Sequence, residues 1–245
     1  MLKTQKVKKN NNIPARQRLR DPRQETMTPV TEVVLVTLKR NADMGITAQA
    51  VASLGAQPGC LGVRTWREHR DPEKVHFVIS WDDIQSHRAF ERKTEVHRAV
   101  LGLLGEFMES FETPYHVALK PTSPAAVLGG DGSGVALLAR AYFPGGEAFA
   151  DQERERVEAA FDEFVDGFGG AGFTGEVAGG WSYENDIEHR GEGSRMFFFA
   201  VGWQSTEAAL RFKDAGGFGE VVSWIEGWEG LRDVQVALIN RFDAA

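Results

Sequence analysis

His97 is the residue whose position best suits chemistry. At helical spacing it shares one face of a predicted helix with an apolar stripe formed by Leu101, Leu104, Met108 and Phe111. An imidazole on such a face needs a hydrogen-bond partner, a ligand or a wet cavity. Because its pKa lies near neutrality, it could take a proton from an acidic phenol or an activated carbon. We therefore predict His97 as the catalytic residue; a buried histidine satisfied by a backbone carbonyl is the alternative.

Aromatic and basic side chains near His97 are predicted to bind a substrate. Trp66 and Trp81 could form an aromatic wall against which a flat ring system packs. Arg64 lies two residues before Trp66, on the same face of a strand, and could hold an enolate or carboxylate. Phe90 and Leu101 complete the predicted substrate site. The alternatives are that the aromatic residues fill the core and that Arg64 is a solvated edge charge.

The remaining reactive side chains predict little chemistry. His69 and His189 fall in predicted hairpin turns, and His87 lies in an early helical turn, so all three are expected at the surface. No two His, Cys or carboxylate residues show the spacing of a metal site, so no metal is predicted. Cys60 is the single cysteine and has no local His partner, which disfavours nucleophilic catalysis.

Charge and hydropathy restrict the class of protein. The chain of 245 residues has a formal net charge of −7, and residues 135–245 hold nine Lys/Arg against twenty acids, so a nucleic-acid partner is not expected. Residues 1–30 hold eight Lys/Arg against two acids and are predicted to be a disordered basic tail, with a targeting or anion-binding arm as the alternative. No apolar run is long enough to span a membrane, no secretory signal is evident, and a cytoplasmic protein is predicted.

The chain contains an internal repeat. Residues 75–81 and 197–203 are apolar runs that end in Trp, and a Phe follows each Trp nine residues later, at Phe90 and Phe212. Similar strands, Val-Ala-Leu in both cases, close the two copies. Self-similarity on this scale indicates a duplicated structural unit.

Each copy has the element order β-α-β-β-α-β, which is that of a ferredoxin-like fold. The predicted organisation is lobe 1 over residues 31–119, a Pro/Gly/Ser-rich linker over 120–134, and lobe 2 over 135–245. The strands predicted at 135–143 and 195–203 are almost continuously apolar, so both faces of their sheet must be covered. The class is α+β: helices cover one face of each sheet, and the two sheets close on each other as a barrel.

These residues resemble the dimeric α/β barrel superfamily, most closely its antibiotic-biosynthesis-monooxygenase-like branch. The resemblance rests on the strand that ends in Trp81, the helix containing Phe90, and His97 beyond it. It implies an intramolecular dimeric α/β barrel built from two ferredoxin-like repeats. It also implies a monooxygenase-like or polyketide-cyclase-like enzyme that acts without a cofactor on a polycyclic aromatic or other small hydrophobic substrate. Members usually dimerise, so a homodimer of the tandem barrel is also possible.

The same resemblance leaves two other functions open. The first is a haem-binding protein with His97 on the iron; haem-degrading relatives also carry an Asn on the first strand, and Thr31–Leu38 contains none. The second is a non-catalytic tandem module that binds a hydrophobic ligand or a partner protein. Spacing from Trp203 places Gly219 where lobe 1 has His97, so a site that uses this imidazole exists once.

Overall fold

The computed structural model describes residues 28–121, 127–128, 134–146 and 149–242. Lobe 1 begins with a β-branched strand, and its two middle strands form an antiparallel hairpin. Its helices and strands, in chain order, are β1 (Val30–Leu38), α1 (Met44–Gly55), β2 (Cys60–Glu68), β3 (Lys74–Trp81), α2 (Ile84–Arg92), α3 (Thr94–Phe107), β4 (Met108–Phe111), β5 (Tyr115–Val117) and β6 (Lys120–Pro121).

Lobe 2 repeats the arrangement with longer central strands. Its elements are β7 (Val135–Pro144), α4 (Asp151–Gly167), β8 (Phe173–Trp181), β9 (Ile187–His189), β10 (Glu192–Trp203), α5 (Thr206–Asp214), α6 (Gly217–Glu226) and β11 (Asp233–Arg241). In the part of the chain that the structure describes, no helix has the length and hydropathy of a membrane span.

The two sheets join at both edges and close into one barrel. Hydrogen-bonded neighbours run in the order β1, β3, β2, β11, β7, β10, β8 and β6. The segment that contains β5 and β6 pairs with β1 at one end and with β8 at the other, and Val117 bridges to Ser182 between these points. This seam completes the ring, so the predicted pair of ferredoxin-like repeats forming an intramolecular barrel is confirmed.

Apolar residues fill three layers: the barrel interior and the space between each lobe's sheet and its helices. Strand β10 shows why its sequence does not alternate, because Phe198 points into the barrel whereas Phe197 and Phe199 pack under the helices. All three are at most 1% exposed. Burial of each such ring contributes about 1.5–3 kcal/mol to folding.

The second half of lobe 1 differs from the prediction. A helix reaching Phe111 was expected, but α3 ends at Phe107 and Met108–Phe111 pairs with β1. The predicted apolar stripe is also wrong, since Leu101 is 47% exposed and Phe111 59% exposed. The chain breaks at Lys93, and α3 then packs beside α1, which turns a neighbouring stripe with Val100 and Phe107 toward the core.

The predicted tail and linker fall mostly outside the described residues. Residues 1–27 lie outside them, and β1 already begins at Val30. Of the predicted linker, Lys120–Pro121 is a strand, and Val127 and Leu128 are fully buried in the barrel core. The indole N–H of Trp66 donates to the Leu128 carbonyl at 3.2 Å, so this short piece helps to fill the barrel.

Candidate functional site

Three elements of lobe 1 bring polar side chains together under the helices. Strand register places Glu32 of β1 directly opposite His116 of β5. Helix α2 crosses this point; it begins where the Asp83 side chain accepts a hydrogen bond from the Ser86 N–H at 2.7 Å. One turn later, His87 lies on the buried face of α2 and reaches Glu32.

The loop before β2 also holds α2 in place. Gly59 has φ +85°, and a Cβ at this position would lie 2.4 Å from the Cβ of Ser86. Only glycine permits both the left-handed backbone and this close approach. Its carbonyl accepts a hydrogen bond from the Asp82 N–H at 2.8 Å, which fixes the strand-to-helix turn that precedes His87.

Glu32, His87, His116 and Glu184 form what we call the lobe 1 polar cluster. One carboxylate oxygen, Glu32 Oε2, accepts a hydrogen bond from Trp81 Nε1 at 3.0 Å and lies 3.3 Å from His87 Nε2. The rings of His87 and His116 lie 4.4 Å apart between centroids. Glu32, His87 and His116 are each less than a tenth exposed, so the cluster is packed into the sheet–helix layer.

Lobe 2 supplies the fourth member of the cluster. Glu184 follows β8 and accepts two hydrogen bonds from His116, one from the ring Nδ1 at 2.6 Å and one from the backbone N–H at 2.9 Å. The barrel seam positions it, because the Tyr183 N–H donates to the His116 carbonyl and Val117 bridges to Ser182. The site is therefore complete only when the two lobes are joined.

The electrostatic environment separates the two imidazoles. Burial, with the charge of His116, lowers the pKa of His87 to about 3, so His87 is neutral. Burial also opposes a charge on His116, but the hydrogen bond to Glu184 and the nearby carboxylates outweigh it and raise its pKa. Burial raises the pKa of Glu32. For Glu184 the effect of burial is exceeded by the His116 hydrogen bonds, which lower its pKa.

The cluster also has the donor set of a metal site. One ligand atom from each of Glu32, His87 and His116 lies within 4.8 Å of the other two. His116 Nε2 and His87 Nδ1 are buried and have no hydrogen-bond partner within the described parts of the chain. Two imidazole nitrogens, of which His116 must first lose its proton, and a carboxylate oxygen are ligands that first-row transition metals accept.

The duplicated lobe carries apolar residues at all three positions. Trp81 pairs with Val30 as Trp203 pairs with Val135, which aligns Glu32 with Leu137. Leu137 pairs with Leu238 just as Glu32 pairs with His116, so Leu238 is the counterpart of His116. Ala209 lies six residues after Trp203, as His87 lies six residues after Trp81, so Ala209 is the counterpart of His87. The same fold is thus built once with Glu, His and His and once with Leu, Ala and Leu.

Three of the predicted site residues lie around the cluster. Trp81 contacts His87 with ring centroids 5.2 Å apart and stacks on Phe90 at 5.7 Å. His97 meets Phe90 edge-on at 5.1 Å. His97 is half-buried at the outer edge of this group, whereas the side chains of Glu32, His87 and His116 are buried.

The other three predicted residues lie elsewhere. Trp66 faces the barrel interior and Trp81 the helix layer, so the two cannot form one wall. Alternation along the strands places them on opposite faces, a point that the spacing within each strand could not show. Arg64 lies opposite Val78, a barrel-core residue, and Leu101 is exposed.

Sequence reasoning missed most of the cluster. His87 was predicted at the surface, and this was wrong: it is 4% exposed, on the stripe formed with Ile84 and Phe90 at spacings of three. That spacing was a usable signal. Glu32 in an otherwise apolar strand was a second signal, but its pairing with His116 and the arrival of Glu184 from lobe 2 depend on tertiary structure.

A cavity of about 470 Å³ lies at the barrel seam. Ala118, two residues after His116 in the seam segment, lines it, and His116 itself is not among the lining residues. Its other lining residues include aromatic and basic side chains: Lys120, Arg154, Trp181, Tyr183 and Arg195. Glu158 and Asp162 lie on its α4 side.

Comparisons with known proteins agree with this architecture. Residues 46–101 match the antibiotic biosynthesis monooxygenase family model. An anthrone oxidase-like protein is similar over 88% of this chain and 92% of its own, with 12% identity and a TM-score of 0.59. A candidate monooxygenase from Fusobacterium nucleatum covers 88% and 93%, with 12% identity and a TM-score of 0.54. No protein of curated function matches the sequence.

A third solved structure widens the range of activities on this fold. A candidate chlorite dismutase is similar over 89% of this chain and 96% of its own, with 11% identity and a TM-score of 0.50. At such identities the likeness concerns the fold. The chain has the tandem dimeric α/β barrel fold that these structures share. Residues 46–101, which match the antibiotic biosynthesis monooxygenase family model, lie in its first lobe, so the resemblance predicted from the sequence is confirmed.

Proposed function

We propose that the protein is a monooxygenase-like enzyme that oxidises a flat, phenolic aromatic small molecule, with the lobe 1 polar cluster as its reactive centre. The observation that carries the proposal is the cluster itself, together with its absence from lobe 2. Burying a carboxylate and two imidazoles costs free energy that apolar residues at the same positions would avoid. Lobe 2 has apolar residues there, which supports a chemical rather than a folding role.

His116 is the proposed proton acceptor. Its Nδ1 is committed to Glu184, so in the neutral ring the lone pair is on Nε2, which is unpartnered among the described residues. A carboxylate that holds one nitrogen of a histidine fixes its tautomer and stabilises the imidazolium that forms on proton uptake. This arrangement replaces His97 as the favoured base, although His97 remains at the edge of the same site.

Removal of a proton prepares the substrate for oxygen. An anthrone-type phenol that loses a proton becomes an electron-rich carbanion or enolate, which can pass its electrons to dioxygen. Oxygenation of the ring CH₂ to a carbonyl then releases water, so carbon is oxidised and dioxygen reduced without an organic cofactor. Cyclisation of a polyketide-type enolate would begin with the same proton transfer.

The seam cavity is the proposed substrate site. Its volume of about 470 Å³ is in the usual range for small-molecule sites. Trp181 and Tyr183 offer aromatic surface, and Arg154 and Arg195 offer charge for a phenolate or carboxylate. The Tyr183 backbone bonds His116, and the Ser182 hydroxyl donates to the Glu184 carbonyl at 2.7 Å, so the cavity wall is tied to the base.

Haem is the less suitable ligand for this site. The two buried imidazoles lie 4.4 Å apart between centroids, which leaves no room for a porphyrin between them. The His97 ring packs nearly perpendicular to Phe90, with centroids 5.1 Å apart. Titration with hemin checks this point directly, and a Soret shift that depends on His97 would favour the haem-binding alternative.

The test is oxygen uptake with an anthrone or a hydroquinone-type phenol, in buffer that contains a chelator. We expect His116→Leu, which installs the lobe 2 residue, to lower kcat/KM by about 100-fold or more, since general-base catalysis contributes about 10²–10⁴. The matched control is Leu238→Met at the equivalent position of lobe 2, for which turnover should be unchanged. Equal turnover by wild type and folded His116→Leu would contradict the assignment of the base.

A further inference from the structure

We infer that Glu32, His87 and His116 form a binding site for one divalent first-row transition-metal ion. This inference goes beyond the proposed function and does not depend on it, because it rests on the arrangement of ligand atoms alone. The three residues come from β1, α2 and β5, and their ligand atoms lie within 4.8 Å of one another in a buried layer.

The distances suit an ion at the centre of the group. Glu32 Oε2 and His87 Nε2 are 3.3 Å apart. Two ligands that each lie about 2.0–2.1 Å from one ion in a tetrahedral arrangement are separated by a similar distance. His116 Nε2 is the third proposed ligand; it belongs to a residue that is 8% exposed, and none of the residues that the structure describes forms a hydrogen bond with it. A buried nitrogen lone pair without a donor is costly unless it receives a proton or an ion.

Hydrogen bonds from outside the group orient two of the three ligands, as they do in metal sites. His116 directs its other nitrogen at Glu184, at 2.6 Å, the carboxylate–histidine arrangement that fixes the tautomer with Nε2 free. His87 directs Nδ1 toward Glu91, at 3.9 Å. Trp81 donates to Glu32 at 3.0 Å. Glu32 and His116 therefore each have a hydrogen-bond partner outside the three ligands, whereas His87 Nδ1 faces the Glu91 carboxylate beyond hydrogen-bond distance.

Two imidazoles and one carboxylate define the class of ion. Imidazole nitrogen suits Zn²⁺, Fe²⁺ and Co²⁺, whereas Mg²⁺ and Ca²⁺ prefer all-oxygen sites. Three protein ligands leave coordination positions open for water or a small ligand. Lobe 2 again serves as an internal comparison, since Leu137, Ala209 and Leu238 offer no ligand atom at the same places.

The ion and the proton compete for one atom. A metal bound through His116 Nε2 occupies the lone pair that a general base needs, so the two occupancies of the cluster exclude each other. The metal-binding measurement is therefore made without substrate, and turnover is measured separately with a chelator present.

The test uses the full chain freed of metal and titrated with Zn²⁺ and Co²⁺ by calorimetry. We expect one ion per chain, and binding weakened at least about 100-fold in the triple variant Glu32→Leu/His87→Ala/His116→Leu. Glu184→Gln, which alters only an outer partner, should weaken binding by about 10–100-fold. Cys60→Ser and His189→Ala should bind as wild type does, because neither residue belongs to the group.

The outcomes separate this inference from the proposed enzymatic role. Equal binding by wild type and the triple variant, or no binding by wild type, would overturn the metal site and leave the turnover assay unaffected. Ion binding that is lost with the three ligands supports the site even where no phenol is oxidised. A cobalt spectrum that is unchanged in His116→Leu would likewise overturn His116 as a ligand.

Discussion

The two lobes share a fold but differ in what they bury at one place. Beneath its helices lobe 1 buries Glu32, His87 and His116, where lobe 2 has Leu137, Ala209 and Leu238. Both versions fold into the same half barrel. The fold therefore does not require the polar residues, and we explain their presence in lobe 1 by a chemical role.

The comparison also shows how lobe 1 accommodates the cluster. Two of the buried residues have hydrogen-bond partners outside the three: Trp81 donates to Glu32, and Glu184 accepts from His116. Lobe 2 has kept the Trp but not the acid, and Trp203 Nε1 has no hydrogen-bond partner among the described residues. The indole N–H thus has a carboxylate acceptor in lobe 1, where Glu32 is present, and no acceptor among the described residues of lobe 2.

Placing one lobe 1 residue in lobe 2 should have the largest effect on stability. Ala209 is fully buried, so Ala209→His forces a ring into a packed site and leaves its nitrogens without a carboxylate. We expect a loss of about 2–5 kcal/mol in the free energy of unfolding, from overpacking and unsatisfied polar atoms. Urea denaturation measures it, and His87→Ala in lobe 1 is the matched comparison. An Ala209→His variant as stable as wild type would show that lobe 2 tolerates the polar residue alone.

The paired tryptophans provide a second contrast. Trp81→Phe removes the donor to the buried Glu32, whereas Trp203→Phe removes an indole N–H that bonds nothing in the described chain. Both lose similar packing, so we expect Trp81→Phe to cost about 1–3 kcal/mol more. Thermal or urea unfolding of the two variants side by side checks this, and equal losses would count against a stabilising role for the Trp81–Glu32 hydrogen bond.

A third contrast concerns acid sensitivity. Strand register aligns His76 of lobe 1 with Phe198 of lobe 2. His76 is buried, and burial lowers its pKa although its Nε2 lies 3.0 Å from the Glu68 carboxylate. When the pKa of a histidine is lower in the folded state than in the unfolded state, the unfolded state binds the proton more readily. The free energy of unfolding therefore falls as the pH drops through the unfolded-state pKa toward the folded-state pKa. We therefore expect the free energy of unfolding to fall between pH 7.5 and pH 5.5, and to fall less in His76→Gln. Identical slopes for the two proteins would contradict this.

The smallest effect is expected at His97. Its counterpart in lobe 2, by distance along the chain from the strand-ending Trp, is Gly219. His97 is half-buried and contacts the cluster through Phe90, so His97→Ala should change kcat/KM on the phenol by less than about 10-fold. Steady-state oxygen uptake measures this. A loss of about 100-fold with the fold intact would restore His97 as the proton acceptor.

The repeat made most of the fold predictable from the sequence. The two apolar runs ending in Trp81 and Trp203 located equivalent strands, and the unbroken apolar sequence of β10 required a covered sheet on both faces. The end of α3 was not predictable from periodicity, because the break at Lys93 and the packing against α1 decide which stripe of the helix is buried.

The site was predictable only in part. Trp81, Phe90 and His97 could be grouped from helical and strand spacing, and they do lie together. Glu184 is 68 residues from His116 and reaches it only because the barrel closes at the seam. A contact of that kind depends on which strand edges meet, and no local pattern in the sequence encodes it.

The most direct test of the central claim is the triple variant Glu32→Leu/His87→Ala/His116→Leu, which gives lobe 1 the side chains of lobe 2. Its free energy of unfolding and its oxygen uptake with an anthrone are measured on the same preparation. We predict a free energy within about 2 kcal/mol of wild type, because buried polar groups contribute little net stability, and a loss of turnover of about 100-fold or more. A triple variant that fails to fold would contradict the account. So would a triple variant that folds and oxidises the anthrone as fast as wild type does.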